Sequence, residues 1–115
     1  MLGVFVRDLL WRSRIEPALR DQGGGVRWLE RPEELEALTE PLQVLWVELS
    51  APEALRVITR ARIRFPSCRI IAFGPHMDAD LLRSAQQAGA DEVLSRSAFL
   101  GRYLWGRWAG LPPGG

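Results

Sequence analysis

The chain of 115 residues has one cysteine and neither lysine nor asparagine. The lone Cys68 excludes an internal disulfide and a metal site made of several thiolates. No apolar run is long enough to cross a bilayer, and Arg7 interrupts the short apolar run at the amino terminus. A formal net charge of +1 gives too weak a field to favour nucleic acid or an anionic membrane as a partner. We therefore expect a cytoplasmic protein with neither nucleic acid nor a membrane as its partner.

The composition that remains is that of a globular protein, with 47% apolar and 25% charged residues. All 15 cations are arginine, a bias that fits either GC-rich coding or a heat-adapted source. The length is that of one domain. We predict a single domain over residues 1–109 and a flexible tail over residues 110–115.

Short apolar segments alternate with segments of helical periodicity along the whole domain. The predicted strands cover residues 2–6, 26–29, 44–49, 69–73 and 92–94. The predicted helices cover residues 10–22, 32–39, 52–64, 77–88 and 97–108. Strands that alternate with helices over short connections indicate right-handed crossovers and a parallel sheet covered on both faces. Periodicity does not give the order of the strands.

The stretch 69–100, RIIAFGPHMDADLLRSAQQAGADEVLSRSAFL, resembles the second half of a response-regulator receiver domain. The most specific part is AGADEVLSRSAF, in which a basic residue follows the fifth strand. The first half of the chain fits the same template in length and pattern. The resemblance implies an α/β fold with a five-stranded parallel sheet in the order 2-1-3-4-5. It also implies helices on both faces of the sheet, in a three-layer sandwich.

Receivers that accept a phosphoryl group need an aspartate after the third strand, an acidic pair that holds Mg²⁺, a hydroxyl and a lysine. The resemblance places Glu48 at the aspartate position and Arg7 with Asp8 at the acidic pair. Gly74 falls at the hydroxyl position and Arg96 at the lysine position. A guanidinium cannot lose its proton and cannot bind a metal ion. We therefore expect a degenerate site with no catalytic residue, no metal and no cofactor.

The charges that remain at this degenerate site could pair with one another. Arg7 and Glu48 follow adjacent central strands of the predicted sheet, so a guanidinium–carboxylate pair between them is expected. Asp8 and Arg96 would complete the network. Such a cluster would hold permanently the conformation that Mg²⁺ and a phosphoryl group hold reversibly.

The last helix is rich in the residue types that dominate protein interfaces. In receivers the surface of the fourth helix, fifth strand and fifth helix is the usual docking and dimer face. We predict that Arg102, Tyr103 and Trp105 contribute to such a face, for a homodimer or for an unknown protein partner.

The leading interpretation is a stand-alone degenerate receiver that acts as a phosphorylation-independent interaction or regulatory module and is not an enzyme. A second interpretation is a flavodoxin-like domain that binds an anionic small molecule in the cleft at the carboxyl ends of the strands. A third is a true receiver phosphorylated at an unexpected residue. The only histidine, His76, has no nucleophile and carboxylate at a recognisable spacing, which favours a turn residue over a catalytic base.

Overall fold

The computed structural model of the chain describes residues 1–20, 25–74 and 78–104. Five parallel strands form one sheet in the order β2-β1-β3-β4-β5, which confirms the predicted topology. The strands are β1 (Leu2–Phe5), β2 (Val26–Trp28), β3 (Val44–Glu48), β4 (Arg69–Gly74) and β5 (Glu92–Ser95). Every adjacent pair is parallel. The carboxyl ends of the strands therefore lie at one edge of the sheet, where the predicted site residues follow them.

The helices that connect the strands differ in length and type. They are α1 (Leu9–Arg20), a 3₁₀ helix (Pro32–Ala37), α2 (Ala54–Arg64), α3 (Ala79–Ala88), α4 (Arg96–Phe99) and a π-helical segment (Leu100–Leu104). We call α4 and the π-helical segment together the C-terminal helix. The short helix predicted over residues 32–39 is the 3₁₀ helix. Of the helix predicted over residues 97–108, the described structure covers the part that ends at Leu104.

Two apolar clusters cover the two faces of the sheet. On one face, α1 and the C-terminal helix bury residues such as Ile15 and Phe99 against the sheet. On the other face, the 3₁₀ helix, α2 and α3 bury residues such as Ile58 and Ala85. Central strands contribute to both clusters because successive side chains point to opposite faces. These clusters confirm the predicted three layers.

Aromatic rings dominate the cluster beneath α1 and the C-terminal helix. Phe73 of β4 and Phe99 stack with ring centroids 3.9 Å apart and planes 9° apart. Trp11 of α1 lies 5.3 Å from the ring of Phe73. Trp46 of β3 meets Phe99 edge-on at 5.1 Å and Tyr103 at 6.0 Å. We call these five residues the aromatic column, and each ring contact adds about 0.5–1.5 kcal/mol beyond the area buried.

Arg62, in the last turn of α2, joins two connections of the fold. Its guanidinium donates to the carbonyls of Gly89 at 2.7 Å and Cys68 at 2.7 Å. It also pairs with Asp91, whose carboxylate accepts from the backbone N–H of Ile70. Because one side chain binds residues before β4 and before β5, it sets the position of both strands relative to α2.

Cys68 is buried and packs as a small apolar residue in the cluster under α2 and α3. Burial raises the pKa of its thiol to about 12, and Asp91 adds to the increase while Arg62 opposes it. The thiol is therefore protonated at neutral pH and is a poor nucleophile.

No helix within the described residues is long and apolar enough to cross a membrane.

Gly89, which ends α3, is predicted to tolerate no side chain. Its φ of +124° is unfavourable for an L-residue, and an added Cβ would lie 3.0 Å from Cβ and Cγ of Arg62. We expect Gly89→Ala to lower the free energy of unfolding by about 1–3 kcal/mol in urea denaturation.

Gly101 is the matched control, because an added Cβ there meets nothing within 4 Å. We expect Gly101→Ala to leave the stability unchanged or to raise it by up to about 1 kcal/mol, since alanine favours a helix. Equal losses of stability for the two variants would contradict the packing described for Gly89.

Candidate functional site

The first two residues of the candidate site follow β1. Asp8 caps the amino end of α1, since its Oδ1 accepts from the backbone N–H of Leu10 at 2.9 Å and of Trp11 at 3.4 Å. Arg7 lies at the surface and its guanidinium reaches Glu53 at 3.3 Å. Arg7 therefore pairs with a residue in the loop before α2, whereas Asp8 caps α1.

Glu48, the last residue of β3, is the only charged residue among the buried side chains of the described structure, and it is 0% exposed. Its Oε2 accepts from the backbone N–H of Ser50 at 2.7 Å, and its Oε1 accepts from the hydroxyl of the same serine. Both carboxylate oxygens are thus satisfied by one residue two positions along the chain. Hydrogen bonds of this kind are what a buried carboxylate requires when no cation pairs with it.

Gly74, the last residue of β4, lies beside the turn that carries Glu48. An added Cβ at Gly74 would lie 3.4 Å from Cβ of Leu49, which is ordinary van der Waals contact. The site therefore has room for a small side chain at this position. Packing with Leu49 does not explain why the hydroxyl of a phosphoacceptor receiver is missing here.

Arg96 begins α4 directly after β5. Its guanidinium lies over the ring of Trp11 at 5.2 Å from the centroid, an arrangement that favours a cation. The Nε of Arg96 is buried and has no hydrogen-bond partner among the described residues. Arg96 therefore contacts the end of the aromatic column.

The prediction of an ion-pair network among the four charged residues at the strand ends is wrong. Arg7 pairs with Glu53, Glu48 is bound by Ser50, Asp8 caps α1, and Arg96 stacks on an aromatic ring. The physical reason is that each charged group already has another partner, and only Glu48 and Asp8 find theirs in their own turn. Glu48 meets its donors within its own turn, so burying it needs no guanidinium.

Among residues 1–20, 25–74 and 78–104, no group of three or more histidine, cysteine, aspartate or glutamate side chains is arranged to hold a metal ion. Of the positions that the resemblance assigns to metal binding, Glu48 faces donors, Arg7 forms a surface ion pair and Asp8 caps α1. The described side chains of the site thus fix the turn after β3, through Glu48, and the amino end of α1, through Asp8. His76 lies outside the described residues.

The predicted interaction face also needs a correction. Tyr103 is 1% exposed and belongs to the aromatic column, so it is not a surface residue. Its hydroxyl donates to Glu92, the first residue of β5. Arg102 stays at the surface, where it pairs with the same carboxylate. Trp105 lies outside the described residues.

Glu92 is a residue that the sequence analysis missed. Arg69 donates to it at 2.7 Å, in addition to the hydrogen bonds from Arg102 and Tyr103. Burial acts to raise the pKa of Glu92, but these hydrogen bonds and the two arginine charges together lower it. In the parallel register Glu92 lies opposite Ile71, two residues after Arg69. A strand alignment made from sequence could therefore have found this pair.

No protein-family model and no curated protein matches the sequence. Solved structures do match the fold. A signal receiver domain of an HD domain-containing protein from Pseudomonas fluorescens Pf-5 has a TM-score of 0.72 at 14% identity, over 84% of this chain and 81% of that chain. A response regulator from Thermotoga maritima has a TM-score of 0.67 at 22% identity, over 83% of this chain and 82% of that chain.

A third similar structure is a response regulator protein from Burkholderia pseudomallei with a phosphorylated aspartic acid. Its TM-score is 0.70 at 21% identity, and the match covers 83% of this chain and 58% of that longer chain. Similarity at these identities shows the fold. The chain therefore has the receiver fold, as the resemblance implied.

The hydroxyl of Ser50 is predicted to contribute measurably to stability. In Ser50→Ala the buried Glu48 loses one of its two donors, and a hydrogen bond to a charged group is worth about 1.5–3 kcal/mol. We expect a decrease of that size in the free energy of unfolding, measured by urea denaturation.

Ser67→Ala makes the same chemical change at an exposed serine whose side chain has no hydrogen bond among the described residues. We expect its stability to stay within about 0.5 kcal/mol of the wild type. If Ser50→Ala were as stable as this control, the carboxylate of Glu48 would not depend on Ser50.

Proposed function

We propose that the chain is a degenerate receiver that acts as a phosphorylation-independent interaction or regulatory module in cytoplasmic signalling, with no catalysis of its own. Its fold is that of receiver domains, which serve as signalling modules. The observation that carries the proposal is the burial of Glu48. A carboxylate that is 0% exposed and occupied by Ser50 on both oxygens is closed to a phosphoryl donor.

The residues around Glu48 support the same proposal. In-line phosphoryl transfer needs a metal ion that neutralises the transferring group and donors that receive its oxygens. Arg7 brings a fixed positive charge to the position of a metal ligand, and Gly74 brings no hydroxyl. Reversible phosphorylation at this site would require several groups to change together.

A module without a phosphorylation switch must act through a contact surface. We propose that the surface of α3, β5 and the C-terminal helix binds either a second copy or a separate protein. Arg102 supports this choice because its side chain is 53% exposed next to β5. The buried Tyr103 lies under this surface, where its hydroxyl donates to Glu92 of β5.

Anion binding at the strand ends is the second candidate function. It is favoured by Arg96, whose buried Nε has no partner among the described residues. The stacking of the same guanidinium on Trp11 counts against it, because Arg96 already has a stable position there without a ligand.

Thermal unfolding with Mg²⁺ and beryllofluoride, a mimic of the phosphoryl group, tests the proposal. A ligand at about a hundred times its Kd adds about 2.7 kcal/mol to stability and would raise the Tm of a domain this size by about 10 °C or more. We expect no such shift. Parallel samples with inorganic phosphate, nucleotides and flavins test the second candidate function, and a shift that Arg96→Met abolishes would favour it.

The matched control is the four-site variant Arg7→Asp/Glu48→Asp/Gly74→Thr/Arg96→Lys, which restores the groups of a phosphoacceptor receiver. We expect Mg²⁺ with beryllofluoride to stabilise this variant. A beryllofluoride-dependent shift in the wild-type chain would contradict the proposed function.

A further inference from the structure

Strand β2 forms one edge of the sheet and pairs with β1 alone. The carbonyl of Gly25 accepts from β1 at 2.9 Å, and the N–H of Leu29 donates to β1 at 2.9 Å. Because the backbone groups of successive residues point to opposite sides of a strand, those of Arg27 also face β1 and those of Val26 and Trp28 face away. Among the described residues these outward groups have no hydrogen-bond partner. The outer edge of β2 therefore offers two donors and two acceptors to an added strand.

The two faces of this edge differ in chemistry. Val26 and Trp28 pack with the cluster under α1, and a groove of about 170 Å³ lies between them and α1. Leu29 packs in the cluster on the opposite face, so the side chain of Arg27 also lies on that face, where it is exposed. The residues that line the groove are Glu16, Leu19, Arg20, Val26 and Trp28. An added strand would thus meet apolar side chains on one face and a guanidinium on the other.

The charge of Arg27 favours an acidic occupant. Neither Arg27 nor Arg20 forms an ion pair with an acidic side chain in the part of the chain that the structure describes. Opposite charges that face each other across two strands stabilise the pairing, and like charges destabilise it. On the groove side Glu16 offsets Arg20, so apolar contact with Leu19 and Trp28 decides what binds there. A carboxylate opposite Arg27 and apolar side chains at the groove therefore match this edge.

A second copy of the chain does not match the edge. In an antiparallel pairing of two β2 strands, the register that pairs all three residues places two copies of Arg27 directly opposite each other. Like charges in that position destabilise the pair, and an exposed cation on an edge strand opposes association with another copy. The charge at the edge therefore favours a segment of a different protein.

We propose that an extended segment of a partner protein adds to the outer edge of β2 as a sixth strand, with apolar side chains at the groove beside α1 and an aspartate or glutamate opposite Arg27. Its backbone pairs with the outward N–H and C=O groups of Val26 and Trp28. This edge is the one opposite β5, so it is separate from the surface of α3, β5 and the C-terminal helix. The proposal does not depend on the proposed function.

Amide hydrogen exchange of the full chain, followed by NMR, tests the proposal with two short peptides blocked at both ends. One peptide alternates valine with glutamate and the other alternates valine with lysine. In the free chain we expect the amides of Val26 and Trp28 to exchange rapidly and that of Arg27 to be protected, because it faces β1. At about a hundred times its Kd the acidic peptide leaves about 1% of the edges free, so exchange at Val26 and Trp28 slows by up to about a hundredfold. We expect the basic peptide to leave these rates unchanged.

Arg27→Glu is expected to reverse the preference, so that the basic peptide protects the edge and the acidic peptide does not. Arg14→Glu is the matched control, since it makes the same change of charge at an exposed arginine of α1 that does not line this groove. It is expected to keep the preference for the acidic peptide. Val26→Pro removes one outward donor without removing a bond to β1, and is expected to weaken binding about tenfold. Retained exchange protection of β1 shows that each variant is folded.

Three results would overturn the proposal. The first is no protection of Val26 and Trp28 by the acidic peptide at about 2 mM, a concentration that detects a Kd as weak as about 1 mM. The second is equal protection by both peptides in the wild-type chain. The third is protection without any peptide, which would assign the edge to a second copy if it disappears on dilution and to the chain itself if it persists.

Discussion

The buried carboxylate of Glu48 is the constraint on which the rest of the site depends. A carboxylate at the end of a central strand costs several kcal/mol to bury unless its oxygens are hydrogen-bonded. Ser50 supplies both donors from the same turn, so the charge needs neither a metal ion nor a guanidinium. The turn is held further by the backbone bond from Leu49 to Phe73 at 2.8 Å. The hydrogen bonds of Glu48 and Leu49 therefore fix the conformation of the turn that connects β3 to α2.

The aromatic column extends this fixed arrangement along one face of the sheet. Arg96 contacts the column at the carboxyl ends of the strands through Trp11. Tyr103 ends the column at the other edge, where its hydroxyl binds Glu92. Close-packed rings transmit strain and resist small displacements. Arg96 is thus connected by packing, through the aromatic column, to the C-terminal helix.

Most of the fold could be predicted from the sequence. Apolar strands that alternate with helical segments gave the parallel sheet, and the resemblance of residues 69–100 to a receiver gave the strand order that the structure has. The predicted end of the fourth helix at residue 88 is the end of α3, which Gly89 caps. These features are local, or follow from rules of chain connection, so they are visible without coordinates.

The details of the site could not be predicted in the same way. Arg7 pairs with Glu53 and not with Glu48, although Glu48 ends β3 and Glu53 follows five residues later, because side-chain reach and burial decide the pairing. The sequence also placed Tyr103 on the surface. Tyr103 lies three residues after the buried Leu100 and four after the buried Phe99, so all three fall on the helix face that packs against the sheet. Both errors concern the direction of side chains on correctly predicted elements.

Carboxylate labelling tests most directly whether Glu48 is closed to reagents. The native chain is treated with a carbodiimide and an amine, and the labelled positions are located by peptide mass spectrometry. We expect Glu53, whose side chain is 31% exposed, to react while Glu48 stays unlabelled until the protein is denatured. Labelling of Glu48 in the native protein at the rate of Glu53 would show that its carboxylate is accessible, and would contradict the account of a closed site.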